Sequence, residues 1–276
     1  MTTFRAACIQ VCASRSISDN VEKATALIRE AAEKGAQYIQ TPEMTHCVAK
    51  TRDDLMAEIK NEANDEGVAA FSKLASQLQV TLHIGSLAIL RDDGKVANRA
   101  FVFGPNGQCI ATYDKIHMFD VDLEHGESWR ESNTYEAGTC SPVIKTEHAM
   151  LGLAICYDIR FPEVFRKQAL AGANVLTAPA CFTRQTGQAH WHILMRARAI
   201  ENTSFMIAAA QGGRHEDGRE TYGHSIIVDP WGTILAEAGH DKPGVIFADI
   251  DVSKVSKARA KIPVLTHGRK FDTSLL

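Results

Sequence analysis

The chain is short of the features that mark a scaffold, a nucleic-acid binder or a membrane protein. Only 8 of 276 residues are proline and 7% are aromatic, so neither proline-rich spacers nor aromatic stacking platforms organise it. No apolar run approaches the roughly 20 residues needed to span a bilayer. The N-terminus, Met1-Thr-Thr-Phe-Arg-Ala-Ala-Cys8, lacks the basic region and apolar core of a secretory leader. Positive charge is in slight deficit, with 30 Lys and Arg against 33 Asp and Glu for a net charge of -3. No dense basic block interrupts this balance, which argues against a nucleic-acid or membrane surface and favours a small neutral or anionic ligand. The 7 cysteines are odd in number and include no C-x-x-C pair. Reduced thiols in a cytoplasmic setting are therefore expected, not a disulfide framework.

What is present is a 45% hydrophobic chain able to bury a large core, expected to form one domain over 1–276. Phe4 to Val11 reads as a strand, followed by a helix beginning near Asp19, where Asp19 and Glu22 have capping-box spacing. Val21, Ala24, Ile28, Ala31 and Ala32 form its apolar face, and Gly35 ends it. Ala36 to Gln40 is a second strand running into Thr41-Pro-Glu43. Asp53 to Asn64 is weakly helical and Val68 to Leu78 more clearly so. Val80–Leu90, Ala97–Phe103 and Gln108–Ile116, separated by Asp92-Asp-Gly94 and Pro105-Asn-Gly107, read as antiparallel hairpins.

A polar loop then runs from His117 to Gly138, longer than a compact domain carries without purpose. Strands follow at 142–145, 151–155, 174–179, 204–211, 224–229, 233–238 and 245–250, with a helix at His190–Asn202 and a hairpin turn at Asp229-Pro-Trp-Gly232. Two strand-helix-strand halves with hairpins between them suggest two sheets covered by helices, a four-layer α-β-β-α sandwich.

One junction stands out. Leu151 to Ile155 is an apolar strand, and Arg160 to Gly172 reads as a helix with Pro162 in its first turn. Cys156 falls between them. A cysteine is ordinarily an inert small hydrophobe, but at a strand-to-helix turn its thiol can meet backbone N–H groups and the positive end of a helix. Glu43, Lys115 and Glu131 supply candidate base, cation and second carboxylate, although each alone would read as a solvated surface charge.

The ordered set of segments resembles the nitrilase (carbon-nitrogen hydrolase) superfamily. It comprises Ala6-Ala-Cys-Ile-Gln10, Pro42-Glu43, Tyr113-Asp-Lys-Ile-His117, Glu131-Ser132, Cys156-Tyr-Asp-Ile-Arg-Phe-Pro-Glu163, His190-Trp191, Arg196-Ala-Arg-Ala-Ile-Glu-Asn202, Tyr222-Gly-His-Ser225 and Asp229-Pro-Trp-Gly232. The resemblance implies that superfamily's αββα sandwich, with Glu43 as general base, Lys115 as oxyanion-stabilising cation, Cys156 as nucleophile and Glu131 as auxiliary glutamate. It also implies hydrolysis of a small carboxylate-bearing amide through a thioester, without cofactor or metal.

Phe119-Asp-Val121, Glu131-Ser-Asn-Thr134, Ala208-Ala-Ala-Gln211 and Tyr222 to Gly232 look most like the branch acting on deaminated glutathione, with ω-amidases next and N-carbamoyl amino acid hydrolases a further alternative. Tyr157, Arg160, Thr183, Arg184 and His190 are candidate substrate-binding residues, with Arg214 a further candidate carboxylate partner. Cys181 to His190 is expected to form a rim loop. The chain departs from many relatives in carrying His192, where an acidic residue is common. A C-terminal helix and tail over 252–276 implies a subunit interface, hence a homodimer or larger homo-oligomer.

Two other readings compete. A metal hydrolase is suggested by 11 histidines, but no H-E-x-x-H occurs, and His190 and His192, two apart on a helix, face different ways. A thiol redox sensor or binding scaffold would pair Cys156 with Cys181 as its resolving cysteine.

Overall fold

The computed structural model describes residues 3–123 and 127–275. Its two six-stranded sheets are built on the same plan. In the first, β1 (Thr3–Gln10), β2 (Tyr38–Gln40) and β3 (Thr81–Leu90) run parallel, linked by α1 (Ile17–Glu33) and, after the short α2 (Arg52–Glu58), α3 (Glu66–Leu78). β4 (Val96–Phe103) and β5 (Cys109–Asp114) extend it as antiparallel hairpins. After the small β6 (Asp120–Asp122) and β7 (Ser128–Arg130) hairpin, β8 (Val143–Lys145) and β9 (Met150–Gly152) open the second sheet. There β9, β10 (Val175–Thr177) and β11 (Phe205–Ala208) run parallel, linked by α4 (Pro162–Leu170) and α5 (Arg184–Asn202).

A two-stranded ribbon of β12 (Gly212–Arg214) and β13 (Glu220–Tyr222) precedes β14 (Ile226–Val228) and β15 (Ile234–Glu237). The last strand, β16 (Gly244–Asp251), returns to the first sheet beside β1, and α6 (Ser253–Lys261) follows. Strand order is β16-β1-β2-β3-β4-β5 in one sheet and β15-β14-β11-β10-β9-β8 in the other.

The period-2 alternation of β1 explains how two cores arise from one strand. Phe4, Ala6 and Cys8 pack with the second sheet, whereas Ala7 and Ile9 pack beneath Ile28 and Ala31 of α1 and Phe71 and Leu74 of α3. The inner cluster continues through the second sheet to Phe165 of α4 and Trp191 of α5. The layers are thus α-β-β-α.

Buried glutamines join the sheets at their strand ends. Gln40 accepts from the Ala209 N–H at 2.8 Å, Gln211 donates to the Glu43 and Met44 carbonyls, and Gln10 accepts from the Ser225 N–H. Each satisfies backbone groups that the ladders leave free. Gly85 is required there because an added Cβ would meet the Thr41 carbonyl at 2.2 Å.

Several boundaries differ from those expected. α1 begins at Ile17, capped by Ser16 accepting from the Asp19 N–H, so Asp19 lies in the first turn instead of starting the helix. The ladder of β9 ends at Gly152, and Leu153 to Ile155 leave it to approach a 3-10 turn at Cys156–Arg160. Arg160 therefore precedes α4, whose first residue is Pro162. α5 begins at Arg184, so most of the anticipated rim loop at Cys181–His190 is helix. The charged segment 117–138 contains the β6–β7 hairpin, with 124–126 outside the described residues. Among the described residues, no helix is long and apolar enough to cross a membrane.

Candidate functional site

The carboxyl ends of the parallel strands meet where the glutamines join the sheets. Glu43 follows β2, Lys115 follows β5, Cys156 follows β9 and Cys181 follows β10. Lys115 Nζ donates to Glu43 Oε1 at 2.9 Å and to Glu131 Oε1 and Oε2 at 3.0 and 2.8 Å. Glu43 and Lys115 are only 3% and 2% exposed. Glu43 Oε2 accepts from the Cys181 N–H at 2.7 Å, and its carboxylate faces the Cys156 thiol. Glu131 stands on a 3-10 turn after β7 and is aimed by the Phe119 N–H at 2.7 Å.

A neutral side chain completes this array. Asn98 Nδ2 donates to Glu43 Oε1 at 2.9 Å and Glu131 Oε1 at 3.1 Å, bridging the two carboxylates. Sequence reasoning passed over Asn98 because it sits inside β4, where an asparagine carries no motif. Its only advance signal was a polar residue between Ala97 and Arg99-Ala100 in a strand otherwise destined for burial.

The charges explain one another. Burial would raise the Glu43 pKa, but the Lys115 ammonium and the hydrogen bonds hold it below the ordinary carboxylate value. Burial would lower the Lys115 pKa, but Glu131 and Glu43 push it well above the ordinary lysine value. The Cys156 thiol is driven up by burial first and by Glu43 second. With one ammonium and two carboxylates already present, a free-standing thiolate would leave two uncompensated charges in a closed site. The resting arrangement is therefore a thiol beside a carboxylate.

Asp158 holds the two halves in register. It is fully buried, and its carboxylate accepts from Tyr113 Oη at 2.6 Å, the His117 N–H at 3.1 Å and the Ile155 N–H at 2.8 Å, with His117 Nδ1 at 2.7 Å. Its partners flank Lys115 on one side and Cys156 on the other. Cys156 has a left-handed φ of 48°, and its N–H donates to the Pro179 carbonyl at 2.9 Å. A non-glycine residue in that conformation marks a turn whose surroundings over-determine it.

These groups line a cavity of about 350 Å³, the size of a small-molecule pocket. Tyr157 and Thr183 line it as expected, together with Phe182 and Thr186. Arg160, Arg184, His190 and Arg214 are not among its lining residues. Arg160 packs its guanidinium over Tyr157 and Phe182, with Nη1 3.3 Å from His190 Nδ1. Arg184 pairs with Glu220, itself in the wall. The cations of the rim are Lys50, Arg52 at the start of α2, Arg130 at the end of β7 and Arg219, none foreseen, because they come from segments remote in sequence.

Arg219 is fixed by its neighbours. Asp217 holds its Nε at 2.8 Å, the Ala49 carbonyl holds Nη2 at 2.9 Å, and the guanidinium lies 4.7 Å from the Trp129 ring centre. Nη1 makes no hydrogen bond among the described residues.

The carbon-nitrogen hydrolase family model matches residues 5–260. A deaminated glutathione amidase of Synechocystis is 38% identical over 271 residues, 97% of this chain and 98% of that protein. A human omega-amidase is 36% identical over 269 residues, covering 98% and 96% of the two chains. Among solved structures, the C. elegans NitFhit protein superposes with a TM-score of 0.89 at 34% identity. The match spans 97% of this chain and 65% of NitFhit.

Proposed function

We propose, for a chain that belongs to the carbon-nitrogen hydrolase family, a cysteine-dependent amidase that releases ammonia from a small, carboxylate-bearing amide. The observation that carries this reading is a thiol, a carboxylate and a buried ammonium converging on one cavity, with Lys115 bonded to both Glu43 and Glu131.

Each group then has a role that its chemistry suits. Cys156 Sγ attacks the amide carbonyl while its proton passes to Glu43, so no isolated thiolate accumulates. The oxyanion of the tetrahedral adduct is met by the Lys115 charge and by the Tyr157 N–H, which as an early residue of its 3-10 turn has no acceptor within the turn. The adduct collapses as Glu43 returns the proton to the departing nitrogen, leaving a thioester and ammonia. Water, deprotonated by Glu43, attacks the thioester, and the Cys156 sulfur leaves and recovers its proton. Glu131 and Asn98 hold Lys115 and Glu43 in position and do not exchange protons.

Deaminated glutathione is the favoured substrate, 2-oxoglutaramate the second, and N-carbamoyl amino acids the third. The basic rim supports an anionic substrate, and Arg219 Nη1 is the donor best placed for a substrate carboxylate, with Tyr157, Thr183 and Thr186 completing the wall. Arg160, Arg184 and His190 then act behind the wall. A redox-sensor reading is disfavoured because burial pushes the Cys181 thiol up to about 12, a poor state for a resolving thiolate.

The 7 cysteines are unpaired, in keeping with a reducing, cytoplasmic setting. Leu170, Ile193, Ile200 and Trp231 are exposed apolar residues on and beside α4 and α5, which together with the tail 252–276 supports assembly as a homodimer. The test is ammonia release by wild type and Cys156→Ala from the three substrates, side by side. Release from one substrate, abolished in the variant, is expected; release that survives the substitution would remove the thiol from the reaction.

A further inference from the structure

Behind the wall of the cavity, three potential metal ligands converge from separate elements. His192 lies on α5, His224 precedes β14, and Glu237 ends β15. Their ligand atoms all fall within 4.8 Å of one another. His192 Nε2 is 2.8 Å and His224 Nδ1 2.7 Å from the same oxygen, Glu237 Oε1. None of the three lines the cavity. We propose that His192, His224 and Glu237 form a structural site for a divalent transition-metal ion, zinc by preference, that clamps α5 to the β14–β15 hairpin.

Two imidazoles and one carboxylate are a donor set that zinc accepts, with water in the remaining position. Bond lengths of about 2.0–2.1 Å in a tetrahedral shell place ligand atoms roughly 3.3 Å apart. The two nitrogens stand about half an ångström closer than that to Glu237 Oε1, so a small shift of one partly exposed carboxylate opens the shell. Each nitrogen that now donates to Glu237 gives up that proton and presents its lone pair to the ion.

The supporting shell is already in place. The Tyr222 ring stacks on His224 at 4.3 Å, fixing the plane of one ligand. His224 itself is held with a left-handed φ of 54°, and the neighbouring Trp191 Nε1 donates to its carbonyl at 2.8 Å. Gly187 of α5 is pressed against Tyr222 so closely that an added Cβ would meet that side chain at 2.3 Å. The clamp would therefore brace the part of the wall formed by Thr183 and Thr186 at the start of α5 and by Glu220 and Thr221 of β13. The partners of His192 lie 32 and 45 positions away, where no spacing rule would pair them.

The test uses the untagged full chain, stripped with chelator and dialysed against cobalt(II), whose visible spectrum distinguishes nitrogen and oxygen ligands from thiolate. One cobalt per chain with the visible d–d bands of a four-coordinate nitrogen–oxygen shell and no thiolate charge-transfer band is expected, unchanged in Cys156→Ala. His192→Ala and the isosteric Glu237→Gln, which can still accept the histidine hydrogen bonds, should each weaken binding at least on the order of tenfold. A metal-dependent rise in Tm should appear in wild type and vanish in Glu237→Gln. Failure to retain cobalt, retention unaffected by either substitution, or a thiolate band lost in Cys156→Ala would overturn the site. These readouts do not depend on turnover, so they fail or succeed independently of the amidase reading.

Discussion

The floor and the rim of the cavity are built by opposite means. At the floor, Glu43, Lys115, Asn98 and Cys156 sit at or in strands, are buried, and share hydrogen bonds so densely that each fixes its neighbours. At the rim, Lys50 and Arg219 stand on loops, and Arg52 and Arg130 at the ends of the short α2 and β7, near the water boundary. A charge at the floor cannot be altered without stranding another in low dielectric, whereas a charge at the rim can be exchanged at small cost. On the proposed mechanism, bond-breaking chemistry falls to the rigid part and substrate choice to the tolerant part.

That contrast is sharpest at Lys115. On the proposed mechanism Lys115→Met removes the charge that meets the oxyanion, for which about 2.7–4 kcal/mol and a 10²–10³-fold fall in kcat are expected. It also strands two carboxylates, at about 3–5 kcal/mol of stability, so Tm should fall by roughly 10 °C. Steady-state kinetics and a melting curve check both; a variant with normal kcat would show that the floor is not where the charge develops. Arg219→Gln should raise KM for a carboxylate-bearing substrate on the order of tenfold with kcat nearly unchanged. A kcat effect without a KM effect would erase the distinction between the two regions.

The smallest effect is in the pH dependence, and it follows from the floor. The proposed mechanism needs Glu43 ionised, and its pKa is depressed below the ordinary value of about 4.3. The acid limb of kcat/KM should therefore lie below about pH 4.3. The stability that Glu43 contributes is present above that unfolded value and lost as pH falls through the folded one. Lys115 has the opposite sense: its raised pKa gives stability present below the unfolded value of about 10.4 and lost as pH rises through the folded one. An acid limb near neutrality would mean that Glu43 is not held ionised by Lys115.

Much of the floor was legible because strand ends leave local marks. Pro42-Glu43, Asp114-Lys115 and Ile155-Cys156 each place a polar or reactive residue where an apolar strand stops, and the parallel strands bring those ends together. Hairpins announced by Asp92-Asp-Gly94, Pro105-Asn-Gly107 and Asp229-Pro-Trp-Gly232 formed as read, since left-handed turns need glycine and Gly94, Gly107 and Gly232 all adopt positive φ. The start of α5 is hard to read because Thr183-Arg-Gln-Thr-Gly-Gln has loop-like composition; Gly187, a poor helix former, stands in the helix because Tyr222 leaves no room for a side chain there.

Periodicities, turns and the residue types standing at the strand ends could be read along the chain, because those depend on neighbours within a few positions. That Asn98 bridges two carboxylates, that Arg219 faces the cavity while Arg184 backs onto Glu220, and that His192 meets His224 and Glu237 emerged from the packing. Each of those pairings joins residues dozens of positions apart or more, and proximity across such gaps is set by how the two sheets pack.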